Sequence, residues 1–196
     1  MKVIGLTGTM GSGKNTVKKI ILSRFNCYHV TLSDVIRGEI EKKRGVLDRT
    51  TLQDMGNEMR QKYGTHILAM LAVEYLPRDK EMIVVDGIRN PGEAKYLKKK
   101  FGNSFVLMAV DAPTEKRFER LKRRADPKDP KTLEEFKETD ARDQGEGEPE
   151  HGQRVAACIA VAEFKISNDG PLEKLEKKVM EVMEKIDSGN HVSENP

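Results

Sequence analysis

The 196-residue chain contains no tryptophan, and aromatic residues make up only 5% of it. So little aromatic surface supplies no stacking platform for single-stranded nucleic acid and marks no purine or pyrimidine pocket. Cysteine is almost as scarce. Cys27 and Cys158 stand far apart, which argues against a disulfide framework and makes a reduced, intracellular setting the expectation. Charge of one sign is also missing: 35 Lys+Arg against 32 Asp+Glu leave +3, too balanced to point to a nucleic-acid binder. No apolar run approaches the roughly eighteen residues of a membrane span, and the first apolar run leads at once into a glycine-rich turn. Neither a signal peptide nor a membrane partner is therefore expected, there is no internal repeat, and the expected compartment is the cytoplasm. The length suits one α/β domain.

What is present is concentrated near the start, in Lys2 to Thr16, KVIGLTGTMGSGKNT. Val3, Ile4 and Leu6 read as a buried parallel strand. Gly8-Thr9-Met10-Gly11-Ser12-Gly13-Lys14 follows, with helical spacing after it. This is the phosphate-loop pattern G-x-x-x-x-G-K in its required context of strand before and helix after. Glycines let successive amide N–H groups point into one concavity, and the helix start adds partial positive charge there. Lys14 is a flexible point charge able to follow a β- or γ-phosphate. Asn15 occupies the position that usually carries a Mg²⁺-binding hydroxyl, with Thr16 next.

Five short apolar runs alternate with helical patterns, which predicts a parallel sheet with right-handed crossovers. Val17, Ile20, Ile21 and Leu22 are expected to be the buried face of the first helix. The second run ends in Ser33-Asp34-Val35-Ile36-Arg37, with Ser33 as the expected N-cap. Thr51 is a further capping candidate, ahead of the stripe Leu52, Met55, Met59. Met82-Ile83-Val84-Val85-Asp86 suits a central strand delivering a carboxylate to the place where Mg²⁺ or its water would sit. Asn90-Pro91-x-Glu93 reads as a capping box. Arg117, Arg120 and Arg124 share one helix face, ahead of a proline-broken insert and a helix over 133–142. Residues 144–152 read as a flexible acidic loop. His66 and His151 have no metal-like partners, and both cysteines suit core packing.

Several of these runs resemble the P-loop kinases of nucleoside monophosphates and of dephospho-CoA, over residues 1 to about 186. The nearest likeness is to prokaryotic, mostly archaeal, members often labelled dephospho-CoA-kinase-like. Asn15-Thr16 after the lysine resembles adenylate kinases, whose metal is held largely through water; Asn15 and Asp86 are thus the metal candidates. The run from Ser33 to Arg37 resembles segments in which the arginine grips the acceptor and the aspartate orients or deprotonates it, which implies those roles for Arg37 and Asp34. Leu52-Gln53-x-x-Gly56-x-x-x-Arg60 is similar to a stretch of phage-type deoxynucleoside monophosphate kinases that closes over the acceptor, so Gln53 and Arg60 join the candidates. Asp86-Gly87-Ile88-Arg89 resembles a run that makes Arg89 a second phosphate clamp. Arg120, Arg124 and Arg142, with Arg123 close behind, are the implied lid arginines. Asn168-Asp169-Gly170-Pro171-Leu172-Glu173 resembles a signature that turns beside the adenine.

The resemblance implies a three-layer P-loop NTPase fold with a five-stranded parallel sheet and a central first strand. It implies one domain over 1–187, an acceptor-binding helical region over 33–76, a lid over 114–143 and a disordered tail over 188–196. The implied activity is transfer of the γ-phosphoryl group of ATP, with Mg²⁺, to a nucleotide-type small molecule, with a nucleoside or deoxynucleoside monophosphate first. The alternatives are dephospho-CoA kinase, with Asp34 as base toward a ribose hydroxyl, and a non-catalytic nucleotide-binding regulator.

Overall fold

A computed structural model describes residues 1–42, 49–77, 79–127 and 129–189, leaving aside the side chains of residues 42 and 49. Most of the segment expected to be a disordered tail, 190–196, lies outside the described residues.

The five apolar runs form one sheet: β1 (Lys2–Gly8), β2 (Cys27–Thr31), β3 (Met82–Asp86), β4 (Phe105–Asp111) and β5 (Phe164–Ser167). Their order is β2-β3-β1-β4-β5, and every neighbouring pair is parallel. β1 is central, so it is covered on both faces and Val3, Ile4 and Leu6 are each 0% exposed. That is why it reads as a near-continuous apolar run and not as an alternating one. Leu6 stands level with Asp86 of β3, which brings that carboxylate to the edge from which the glycine-rich loop departs.

Helices cover both faces. On one side α1 (Lys14–Arg24) and α9 (Leu172–Asp187) bury Val17, Ile21, Val179 and Met183 against Ile4, Leu6, Val84 and Met108. On the other, α2 (Leu32–Lys42), α3 (Arg49–Tyr63), α4 (Ile67–Glu74), α5 (Pro91–Phe101) and α8 (Val155–Ala160) close over Val3, Ile83, Val85 and Leu107. α6 (Thr114–Arg124) and α7 (Leu133–Gln144) form a small third cluster, in which Leu121 and Phe136 meet Met10 of the loop.

The expected capping box of α5 forms: Asn90 Oδ1 accepts from Gly92 N–H at 2.9 Å and Glu93 Oε2 from Asn90 N–H at 3.1 Å. Other local expectations are corrected. Ser33 does not cap α2, because the helix starts directly from β2 at Leu32 and takes Ser33 into its first turn. Thr51 likewise lies inside α3. Leu22 is 36% exposed, since Val17, Ile20 and Ile21 already define the inward stripe and the next residue is turned about 100° further round. Residues 144–152 are tethered to the domain. Asn90 Nδ2 donates to the carbonyls of Glu150 and Gly152 at 2.9 and 2.8 Å, and Glu148 accepts from Asn57 Nδ2 at 2.8 Å and Arg142 Nε at 2.9 Å. Cys158 is buried in the core, and His66 sits at the start of α4 with its ring stacked 5.5 Å from Tyr96. Among the described residues no helix is long and apolar enough to cross a membrane.

Candidate phosphate and acceptor cleft

The glycine-rich loop is held by its outer carbonyls. Arg117 Nη1 donates to Met10 O at 3.1 Å, and Asn168 Nδ2 and Arg120 Nη1 donate to Ser12 O at 2.8 and 3.3 Å. In a planar trans peptide the N–H points opposite the carbonyl, so the amides of Gly11 and Gly13 are turned away from these side chains, onto the concave side. Arg117 is itself fixed: 4% exposed, it pairs in bidentate fashion with Asp140 at 2.5 and 2.8 Å. Gly13 caps α1 at φ 93°, and a Cβ there would stand 2.1 Å from Asn168 Nδ2. Gly13→Ala is expected to cost about 1–3 kcal/mol from backbone strain alone and to weaken nucleotide binding, read from thermal melts with and without ATP.

A cleft of about 340 Å³ opens at the carboxyl end of β1 and β3. Of the loop, Gly8, Met10, Gly11, Lys14 and Asn15 line it. Asp86 enters from β3, 4% exposed. Lys18 Nζ meets its Oδ2 at 2.8 Å, whereas Oδ1 is buried without a hydrogen-bond partner. Burial alone would raise the Asp86 pKa, but Lys14 and the hydrogen-bonded Lys18 outweigh it and hold the carboxyl below its ordinary range. The result is an ionised carboxylate on a residue that lines the cleft, with one buried oxygen lacking a hydrogen-bond partner. It fits a hydrated Mg²⁺, which needs only one or two carboxylates besides water and substrate phosphates. Among the described residues no group of three or more His, Cys, Asp or Glu could hold a metal ion. Asn15 is exposed beside the loop, and Thr16 is half-buried with its N–H on Gly13 O at 2.9 Å.

The opposite end of the cleft is lined by Arg37 of α2, Gln53 and Arg60 of α3, Arg89 after β3, Asp143 of α7 and Gln153. Arg60 is 2% exposed and tied to Glu93, with Nε and Nη2 each 2.8 Å from Oε1. Arg89 Nη1 donates to Gln153 Oε1 at 2.9 Å and stands 3.6 Å from Asp143 Oδ1, which also accepts from Gln53 Nε2. Arg37 pairs with Asp34 at 2.5 Å; Asp34 is exposed and lies outside the cleft lining.

The lid arginines have separate positions. Arg124 lines the cleft and is paired with Asp129 at 2.5 and 2.8 Å. Arg120 grips the loop from outside, with Nη2 also on Asn168 O at 2.9 Å. Arg142 reaches α3, donating to Asp54 at 2.6 Å and Gln53 at 3.3 Å, and its Nε meets Glu148. Arg123 is exposed. Sequence reasoning missed Lys18, although its i+4 spacing from Lys14 puts both on one helix face. It also missed His29 of β2, whose ring is pushed below its ordinary range by burial and by Lys18, against the pull of Asp86 and Asp34. Asp143 carried no sequence signal.

Residues 4–143 match the family model described as an AAA domain. A UPF0200 protein of Thermococcus onnurineus is 34% identical over 94% of this chain and 97% of its own length. UPF0200 protein MJ1399 of Methanocaldococcus jannaschii is 32% identical over 95% and 91%. Among solved structures, TT1252 from Thermus thermophilus has a TM-score of 0.58 at 20% identity, over 94% of this chain and 97% of that one. Shikimate kinase from Aquifex aeolicus has a TM-score of 0.52 at 18% identity, over 95% and 99%. A gluconokinase from Sinorhizobium meliloti has 0.54 at 12%, over 99% and 98%. At these identities the structural likeness is one of fold, and that fold is P-loop kinase-like, coarser than either the nucleoside monophosphate or the dephospho-CoA kinases that the sequence resembles. Sequence and architecture agree: the chain belongs to the UPF0200 family and carries an AAA-type P-loop domain.

Proposed function

We propose that the protein is an ATP-dependent phosphotransferase with a small-molecule acceptor. The observation that carries this reading is that the phosphate loop with Lys14 and the carboxylate residue Asp86, one of whose oxygens has no hydrogen-bond partner, line one cleft. Kinases of small molecules, shikimate kinase and a gluconokinase, have the same fold.

In this reading the loop amides and Lys14 hold the donor phosphates, and Asp86 and Asn15, which both line the cleft, would hold Mg²⁺ through water. Mg²⁺, when bound, neutralises charge on the phosphate oxygens. The acceptor enters between α2, α3 and Arg89. The bond from the γ-phosphorus to its bridging oxygen breaks as one to the acceptor oxygen forms, and ADP leaves with the bridging oxygen. Phosphoryl transfer needs mainly positioning and charge stabilisation, which this chain supplies from Lys14, Lys18 and Arg124. Asp34, outside the cleft lining and paired with Arg37, is proposed to hold that arginine at the cleft, and the proton of a hydroxyl acceptor passes to solvent.

The test is transfer from labelled ATP across nucleosides, nucleoside and deoxynucleoside monophosphates, simple sugars and dephospho-CoA. Transfer to one class supports the reading; tight ATP binding with no transfer would favour a nucleotide-binding regulator. Asp34→Asn, which removes the charge beside Arg37 but no group in the cleft lining, is expected to raise the acceptor KM modestly and leave kcat near its original value.

A further inference from the structure

We propose, resting on the phosphotransferase reading, that the acceptor end of the cleft selects an uncharged, hydroxyl-bearing molecule of the nucleoside or sugar type and disfavours its phosphorylated counterpart, with Asp143 as the residue that enforces the choice. A phosphate monoester brings a charge of about −1.5 to −2 and needs cations to spare. Among the described residues, the three guanidinium groups at this end are each matched by a carboxylate. Arg60 is spent on Glu93, at side-chain exposures of 1% and 0%. Arg89 faces Asp143 and Gln153, and Arg37 faces Asp34.

Asp143 is the telling member. It is 2% exposed, lines the cleft, and reaches it from α7, across from the helix that carries Gln53. A buried carboxylate facing Arg89 offsets the charge that a phosphate would use there and repels the phosphate directly. The same carboxylate and the side-chain oxygens of Gln53 and Gln153 are acceptors suited to hydroxyl donors. Each already takes one donor from the chain, Gln53, Arg142 and Arg89 respectively, and keeps a second lone pair for a ligand hydroxyl. Position matters as much as charge: Asp143 Oδ1 is held from α3 by Gln53, so it cannot swing out of the way without breaking that bond.

The test is a calorimetric titration of the full chain, with its donor end saturated by a non-hydrolysable ATP analogue and Mg²⁺. The probes are adenosine, guanosine, cytidine, uridine and their 5′-monophosphates. No monophosphate is expected to bind more tightly than its nucleoside. Asp143→Asn, which can still accept from Gln53, should tighten monophosphate binding at least tenfold and leave the analogue's affinity unchanged. Gln153→Lys, which adds a positive charge and keeps Asp143, should move monophosphates in the same direction and guards against a fold defect in the first variant. A monophosphate that outbinds its nucleoside on the unaltered chain overturns the inference, as do two folded variants that leave monophosphate affinity where it was. Efficient transfer to a monophosphate would sink this inference and uphold the phosphotransferase reading. Failure of ATP to bind at all would remove both.

Discussion

Lys14→Ala should leave the fold intact and lower phosphoryl transfer about 10²–10³-fold, the scale of losing one preorganised charge-stabilising donor. The helix it begins is anchored elsewhere, by Val17, Ile20 and Ile21 in the core, so its removal opens no cavity. Its positive charge, by contrast, faces the cleft and acts on Asp86. The measurement pairs transfer from labelled ATP with a thermal melt. A large rate loss at an unchanged melting temperature is the expected result, and an equal rate in the variant would remove the lysine from the mechanism. Asp86→Asn makes a second arm. It keeps the shape of the side chain, removes the charge that would face Mg²⁺, and leaves Lys18 without its carboxylate.

The largest stability effect is expected from Glu93→Ala. Glu93 is 0% exposed, accepts from Arg60, and also takes the backbone N–H groups of Arg89 and Asn90 at 2.8 and 3.1 Å. Removing it strands a guanidinium in the interior, which costs about 3–5 kcal/mol. For a domain of this size that is a fall of roughly 6–20 °C in melting temperature. Replacing both partners, Arg60→Leu with Glu93→Leu, removes the uncompensated charge and should cost less than Glu93→Ala alone. Urea unfolding of the three chains decides it, and a double variant worse than the single would show that the pair itself is strongly stabilising.

Much of the fold was legible because its signals are local. A run such as Met82–Asp86 betrays its burial by composition, and Asn90-Pro91-x-Glu93 spells a helix start within four residues. The phosphate loop was legible for the same reason: its glycines, lysine and flanking elements are contiguous. The charged contacts were not. Arg142 meets Asp54 and Gln53 meets Asp143 across about ninety residues of chain, and periodicity within α3 or α7 says nothing about which charges will face each other. Arg117 shows the limit clearly. Its spacing puts it on one helix face with Arg120 and Arg124 but says nothing of a partner, and α7 covers it and supplies Asp140. The tether on residues 144–152 was hidden likewise, because acidic, glycine-rich composition reports solubility and not the side chain of Asn90 waiting at another element.

The strand order also bears on how the protein is made. β1 hydrogen-bonds to β3 and β4, and β2 only to β3. Until Met82–Asp86 has left the ribosome, neither of the first two strands has a sheet partner, and the phosphate loop hangs from an unpaired strand. At about 5–20 residues per second, the stretch from Gly8 to Met82 takes roughly 4–15 s to synthesise. For that interval Val3, Ile4 and Leu6, each 0% exposed in the finished fold, have no sheet to cover them.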